Sequence, residues 1–287
     1  MKLIGYTCAY NEAEYVPYVM PYVEAMHYDK FVVYDNGSTD GTAEILKERY
    51  PFVEVREYYT GGKFDDGVKC GLQSESFFEC KELAKDGELI CMTWTDFDEV
   101  LLWAGDVDVK SQIEIDYLYC NYNCFYKNMI NILPPTPDFD TKAAFEANGG
   151  GFVHMIDGMR GSAWIDGMKP TMLIVNDFEE IDFYPGNHYA IAKPKEGKEI
   201  KSYDDICRMY GFHLKFINKA ALERKTAGYI DRDNDTAKKM MPEFDLMFRR
   251  QLAVSFPLEE YFLHDFFNSK LAKNGAEWMG LLKRWWD

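Results

Sequence analysis

Apolar and polar positions along the first hundred residues follow two interleaved rhythms. "KLIGYTC" and "KFVVYD" are continuous apolar runs, apolar on both faces, as strands buried inside a parallel sheet must be. "FVEVREY" and "ELICMTW" supply a third and a fourth strand. Between the strands lie segments with helical spacing. The first is "AEYVPYVMPYVEAMHY", where Pro17 sits near the start and Pro21 predicts a kink. "AEILKERY" and residues 66–85 are the next two helices, and "NGSTDGT" is the turn that opens "AEILKERY", with Asp40 as its capping residue. Strand and helix alternating at this interval predict an α/β fold whose mostly parallel sheet is flanked by helices on both faces.

After Glu99 the rhythm breaks. Residues 105–215 mix short strands with Gly- and Pro-rich loops such as "LPPTPDF", "NGGGF" and "YPGNHY", and residues 216–287 read as mainly helical. The expected organisation is one domain over 1–215, with a first half at 1–104 and a continuous second half at 105–215. A helical C-terminal extension follows at 216–287.

Composition narrows the class. No apolar run approaches the ~20 residues that span a bilayer. The opening residues read as a strand, not a signal peptide, because acidic residues follow at once. The terminal "EWMGLLKRWWD" reads as a helix packing its tryptophans on the domain; a peripheral contact at a membrane interface is the alternative. Seven scattered cysteines lack the paired spacing of a zinc site and read as reduced thiols in a cytoplasm. A formal charge of -16, with no basic stripe, excludes nucleic acid as a partner. A chain this negative that handles phosphates needs a metal ion or a few placed lysines.

Ligands of open parallel sheets bind outside the carboxyl ends of the strands. There the sequence places Asn11 and Glu12, then Asp35, Asn36 and Ser38, then Gly61, Gly62 and Lys63, and finally Asp96, Asp98 and Glu99. Carboxylates spaced Asp-x-Asp on an extended segment face the same side. Two such oxygen ligands with open positions suit Mg²⁺ or Mn²⁺ bridging to a diphosphate. Lys63 reads as a diphosphate or base contact carried on a flexible Gly-Gly turn, and Lys69 as a surface residue.

"YNEAEYV" followed by "VVYDNGSTDGTAEIL", with "TDFDE" after a later strand, resembles the opening of family-2 glycosyltransferases of the GT-A fold. The likeness covers about the first hundred residues, in which 1–104 becomes a nucleotide-binding half and 105–215 an acceptor-side half. It implies that Asp35 meets the nucleobase and that Thr7, Ala9 and Asn11 line the base and ribose pocket. It further implies that Asp96 approaches the ribose or the metal, and that Asp98 is the metal ligand on the sugar diphosphate. Asn36 stands where the family's second aspartate is usual, and Cys8-Ala9 where a proline is frequent.

The resemblance also implies a third metal ligand late in the domain, for which His213 in "MYGFHLKFIN" is placed, and a histidine near the sugar or acceptor, for which His188 is placed. Inverting transfer needs a carboxylate to take the acceptor proton. "NDFEEIDF" supplies Asp177, Glu179, Glu180 and Asp182; Glu180 is the first choice and Asp157 the second.

The expected activity is metal-dependent transfer of a sugar from a nucleotide-diphosphate donor, a UDP-sugar, to a hydroxyl of a glycan or lipid-linked acceptor. The expected location is the cytoplasm, with peripheral contact at the inner membrane face. A nucleotidyltransferase is the first rival, but it needs a Gly-rich basic loop where "AYNEAEY" stands. A non-catalytic nucleotide-binding module of the same fold is the second.

Overall fold

The computed structural model describes residues 1–61, 65–103, 108–125, 128–133, 160–164, 172–184, 190–202, 209–214 and 256–257. The chain divides into two compact units, residues 1–128 with 165–211 and residues 129–164 with 212–287. Residues 129–164 group with the C-terminal part because β7 (Asn128–Leu133) and β8 (Arg160–Trp164) pair with each other, and β8 with β13 (Phe256–Pro257), all antiparallel. Apart from β13, the C-terminal extension lies outside the described residues.

The first unit opens as its sequence pattern requires. The order is β1 (Lys2–Ala9), α1 (Val16–Ala25), β2 (Lys30–Asp35), α2 (Thr42–Arg49), β3 (Val53–Glu57), α3 (Asp66–Ala84) and β4 (Ile90–Trp94). Then come β5 (Glu99–Trp103), α4 (Val109–Cys120) and β6 (Cys124–Phe125). β9 (Met172–Ile174), a short 3-10 turn (Val175–Asp177), β10 (Phe178–Phe183), β11 (Ala190–Pro194) and β12 (Met209–His213) complete the described elements.

The central sheet runs β3-β2-β1-β4-β9-β6. β1 to β4 are parallel, while β9 is antiparallel to both β4 and β6. The chain moves outward from β1 to β3, then returns through α3 to the other side of β1. Right-handed crossovers then set α1 and α2 on one face and α3 on the opposite one. The core agrees. Ile4, Tyr6, Val32, Tyr34, Met92 and Trp94 pack with Phe77 and Cys80 of α3 on one face, and Leu3, Cys91 and Ile174 pack with Met26, Val109 and Ile113 on the other. Period-two alternation along β1 thus feeds two cores, which is why the run reads as uninterrupted apolar sequence. The protein is a mixed α/β fold with a mostly parallel sheet flanked by helices.

Ion pairs tie α3 to the sheet. Glu79 accepts two bonds from the Arg56 guanidinium, at 2.6 and 2.9 Å, and one from Lys30 at 2.7 Å. Arg56 also donates to Glu54 and to the Tyr34 hydroxyl, which lies 3.0 Å from Ser76.

Two local expectations are corrected. Gly41, at φ 92, holds the position before α2, while Asp40 one residue upstream accepts from the Thr42 amide and hydroxyl. The left-handed backbone at Gly41 lets Asp40 reach past it. Helix α4 falls where loops and short strands were expected. Its ends are well made, since Asp108 accepts from the Ser111 amide at 2.9 Å and Asn121 closes the other end at φ 58. Among the described residues no helix is long and apolar enough to cross a membrane, and all six described cysteines are free thiols.

Candidate functional site

β1 is flanked by β2 on one side and β4 on the other, with the crossovers leaving in opposite directions. That reversal opens a crevice outside the carboxyl ends of these strands, the usual ligand position of such sheets. Ala9 ends β1, Asp35 ends β2 and Trp94 ends β4, so Asp35 and the Asp96–Glu99 turn stand at the same edge on either side of β1.

The loops after β1 and β2 are interlocked. Asn11, in a left-handed conformation at φ 54, donates its amide to the Ser38 hydroxyl at 2.9 Å and accepts from the Thr39 amide at 2.8 Å. The Glu12 amide donates to the Thr42 hydroxyl, and the Ala13 amide to Asp40. Asp35 is buried and accepts from both the amide and the hydroxyl of Ser38, at 3.0 and 2.5 Å. Asn36 is buried too, but it serves the third loop: it accepts from the Thr60 amide at 2.9 Å and donates to the Thr60 hydroxyl at 2.8 Å. An aspartate could not make that donation. Gly37, at φ 71, carries the ring of Tyr59 so closely that an added Cβ would lie 2.9 Å from it. Thr7 and Ala9 are both buried on β1.

The three acidic residues after β4 have separate surroundings. The Asp96 amide donates to the Glu99 carboxylate at 3.1 Å, and the Glu99 amide donates to the Asp96 carbonyl at 3.0 Å, so Glu99 closes the turn. Asp98 is buried at 6 % exposure. The Asp96 carboxylate is paired with Lys69 at 2.5 Å. This overturns the surface reading of Lys69, which is buried. α3 runs back from the carboxyl edge, so its first turn, and Lys69 with it, belongs to that edge. Burial works against the Lys69 ammonium, yet the Asp96 carboxylate outweighs it and the pKa lies above the usual lysine value. The neighbouring Cys8 thiol is pushed up to about 11, chiefly by burial, with Lys69 pulling the other way. It is a protonated, unreactive thiol at neutral pH.

A divalent cation fits this edge in a limited sense. Mg²⁺ and Mn²⁺ are commonly held by one or two carboxylates together with substrate phosphates and water. The buried Asp98 and the Lys69-paired Asp96 are the carboxylates that would meet such a cation here. Among the described residues no group of three or more His, Cys, Asp or Glu side chains could hold a metal by itself. His213 ends β12 in a half-buried position.

The remaining residues singled out in the sequence have separate surroundings. Asp177 is buried and bonded to Tyr117, Asn123 and Lys198, and Glu179 pairs with Lys193 at 2.8 Å. Glu180 and Asp182 are exposed on β10, with Glu180 opposite Lys193 across the hairpin. Lys63, Asp157 and His188 lie outside the described residues.

No family model and no curated protein matches the chain. Among solved structures, it is similar to residues 1–349 of S. aureus TarS in complex with UDP, at 13% identity and TM-score 0.43, over 97% of this chain and 78% of that one. The complex of the same protein with UDP-GlcNAc gives 13% identity and TM-score 0.42, over 99% and 80%. A 4-diphosphocytidyl-2C-methyl-D-erythritol synthase is similar at 13% identity and TM-score 0.30, over 62% and 77%. These likenesses are distant, so the chemistry has to be read from the residues of this chain.

Proposed function

We propose that this protein is a metal-dependent glycosyltransferase that moves a sugar from a nucleotide-diphosphate donor, a UDP-sugar, to a hydroxyl of a glycan or lipid-linked acceptor, with inversion. The observation that carries this reading is the delivery of Asp35 and of the Asp96–Asp98 turn to one crevice, on either side of β1. The sequence pattern of the loops agrees with it, since "YNEAEYV", "DNGSTDGT" and "TDFDE" carry the resemblance to family-2 glycosyltransferases.

In this reading Asp35 meets the base, with Thr7, Ala9 and Asn11 beside it. Asp96 meets the ribose, and Asp98 would hold Mn²⁺ or Mg²⁺. A bound cation offsets the charge gained by the departing diphosphate. The acceptor oxygen bonds to the anomeric carbon as the bond to the diphosphate oxygen breaks, and that electron pair leaves with the nucleoside diphosphate. The acceptor proton passes to a carboxylate. Asp177 and Glu179 are already engaged, and of the exposed Glu180 and Asp182 we assign Glu180, ahead of Asp157.

A thermal-shift panel of UDP, GDP, CMP, UTP and CTP, each with and without Mn²⁺, tests the donor class. Ligand that binds only the folded state stabilises it by mass action, by about 2.7 kcal/mol at a hundred times Kd. UDP is expected to raise the Tm only with metal, and Asp98→Asn to remove the gain. Stronger stabilisation by UTP or CTP than by UDP would transfer the assignment to a nucleotidyltransferase. No shift with any nucleotide would overturn it.

A further inference from the structure

Tyr59 stands just past the end of β3, at the same carboxyl edge as Asp35, and is 79% exposed. A ring so open to water is ordinarily free to swing. Here the chain holds it. On one side of it the Tyr58 amide donates to the Asp35 carbonyl at 2.9 Å, and on the other the Thr60 amide donates to the Asn36 side chain at 2.9 Å. One edge of the ring rests on Gly37, where an added Cβ would lie 2.9 and 3.1 Å from two of its carbons. Gly37 itself sits at φ 71, in the left-handed region that glycine fills without strain. Any larger residue there would both strain the backbone and push the ring away.

Burial does not account for this arrangement, since the side chain stays largely in water. Fixing the ring in place does. A tyrosine has only two rotatable side-chain angles, so a pinned one offers flat, rigid contact area at small entropic cost. Its supports come from the residues around Asp35: the Asp35 carbonyl, the Asn36 side chain and the Gly37 backbone. The ring is thus carried by the very segment that ends β2.

We propose that Tyr59 is a stacking platform for the nucleobase of the donor. This rests on the reading of the crevice as a nucleotide-sugar site, in which Asp35 meets the edge of the base and Tyr59 its face. The two contacts do different work. Hydrogen bonds at the edge tell one base from another, whereas stacking tolerates any base because every base has a π-face. Tyr59 therefore adds affinity for the nucleoside part of the donor and leaves the choice of base to Asp35.

Isothermal titration calorimetry of the full chain tests this, with UDP and separately with inorganic pyrophosphate, both in Mn²⁺ buffer. The proteins are the parent, Tyr59→Ala, Tyr59→Leu and Tyr59→Phe, each checked by its Tm, which an exposed side chain should leave unchanged. Tyr59→Ala is expected to weaken UDP binding roughly 5- to 150-fold, the range for losing one aromatic–base stack. Tyr59→Leu, apolar but not flat, should lose as much, while Tyr59→Phe keeps the ring and should stay within about threefold of the parent. Pyrophosphate carries no base and should not distinguish the four proteins.

UDP affinity unchanged in Tyr59→Ala overturns the inference, as does retention in Tyr59→Leu, which would reduce the contact to apolar bulk. An equal loss for pyrophosphate would point to loop damage and overturn it too. In all three cases the parent still binds UDP, so the donor reading stands. A parent that binds no UDP sinks the donor reading itself, and the platform falls with it.

Discussion

Asn36 and Thr60 bond each other in both directions: the Asn36 side chain accepts from the Thr60 amide at 2.9 Å and donates to its hydroxyl at 2.8 Å. The pair fastens the loop after β3 to the end of β2 and sits beside the buried carboxylate of Asp35. Asn36→Asp removes the donor and adds a second buried charge. It is expected to cost about 1–3 kcal/mol, from desolvating a second carboxylate beside Asp35, read as a lower urea midpoint at constant slope. Equal midpoints for the two proteins would refute this account of Asn36.

The Lys69–Asp96 pair is asymmetric, because Lys69 is 8% exposed and Asp96 31%. Asp96→Asn strands the more buried charge, whereas Lys69→Met leaves a carboxylate that water can reach. The first should therefore destabilise more, by an amount approaching the ~3–5 kcal/mol of a broken buried pair. Chemical denaturation of the two variants, side by side, measures the order directly.

Acid should loosen the α3 face. Bonds from Arg56 hold the Glu79 carboxyl down to about 2; burial opposes them and Lys30 adds to them. Since the folded value lies below the ordinary 4.5, the stability it contributes is complete above 4.5 and is lost as pH falls toward 2. The parent should be more stable than Glu79→Gln at pH 7, and the difference should shrink below pH 4.5. A difference that stays constant from pH 7 to 3 would exclude this linkage.

Glu180 is exposed on β10, opposite Lys193. Glu180→Gln should leave both Tm and the UDP-induced shift unchanged, because it removes no buried contact. As the residue proposed to take the acceptor proton, it should lower kcat by about 10²–10⁴ at unchanged donor KM. A kcat within a few-fold of the parent would move the assignment to Asp157.

How far the sequence discloses this protein depends on where the signal resides. The four parallel strands and α3 are legible because a strand buried on both faces has little freedom in composition: α3, expected over 66–85, spans Asp66–Ala84. Helix α4 is not legible from periodicity. Val109, Ile113, Ile115 and Tyr117 are β-branched or aromatic and mimic strand composition, so only the caps Asp108 and Asn121 mark it as helix. β9 pairs with β4 at the Cys91–Ile174 level, between segments far apart in the chain, and no local pattern encodes such a partner. At the site, Asp35, Asp96 and Asp98 are visible as strand-end carboxylates. Lys69 is hidden because a lysine at a helix start is ordinarily solvated, and its partner appears only once α3 is folded back on the sheet.

The bonds linking Asn11, Glu12 and Ala13 to Ser38, Thr39, Asp40 and Thr42 make the loops after β1 and β2 one mechanical piece. In the proposed nucleotide-sugar reading, altered preference for a base is therefore not expected from changes in either loop alone. A viable path must alter both together, which makes the two segments a single unit of inheritance, and the natural one to graft when the specificity of a related scaffold is to be redesigned.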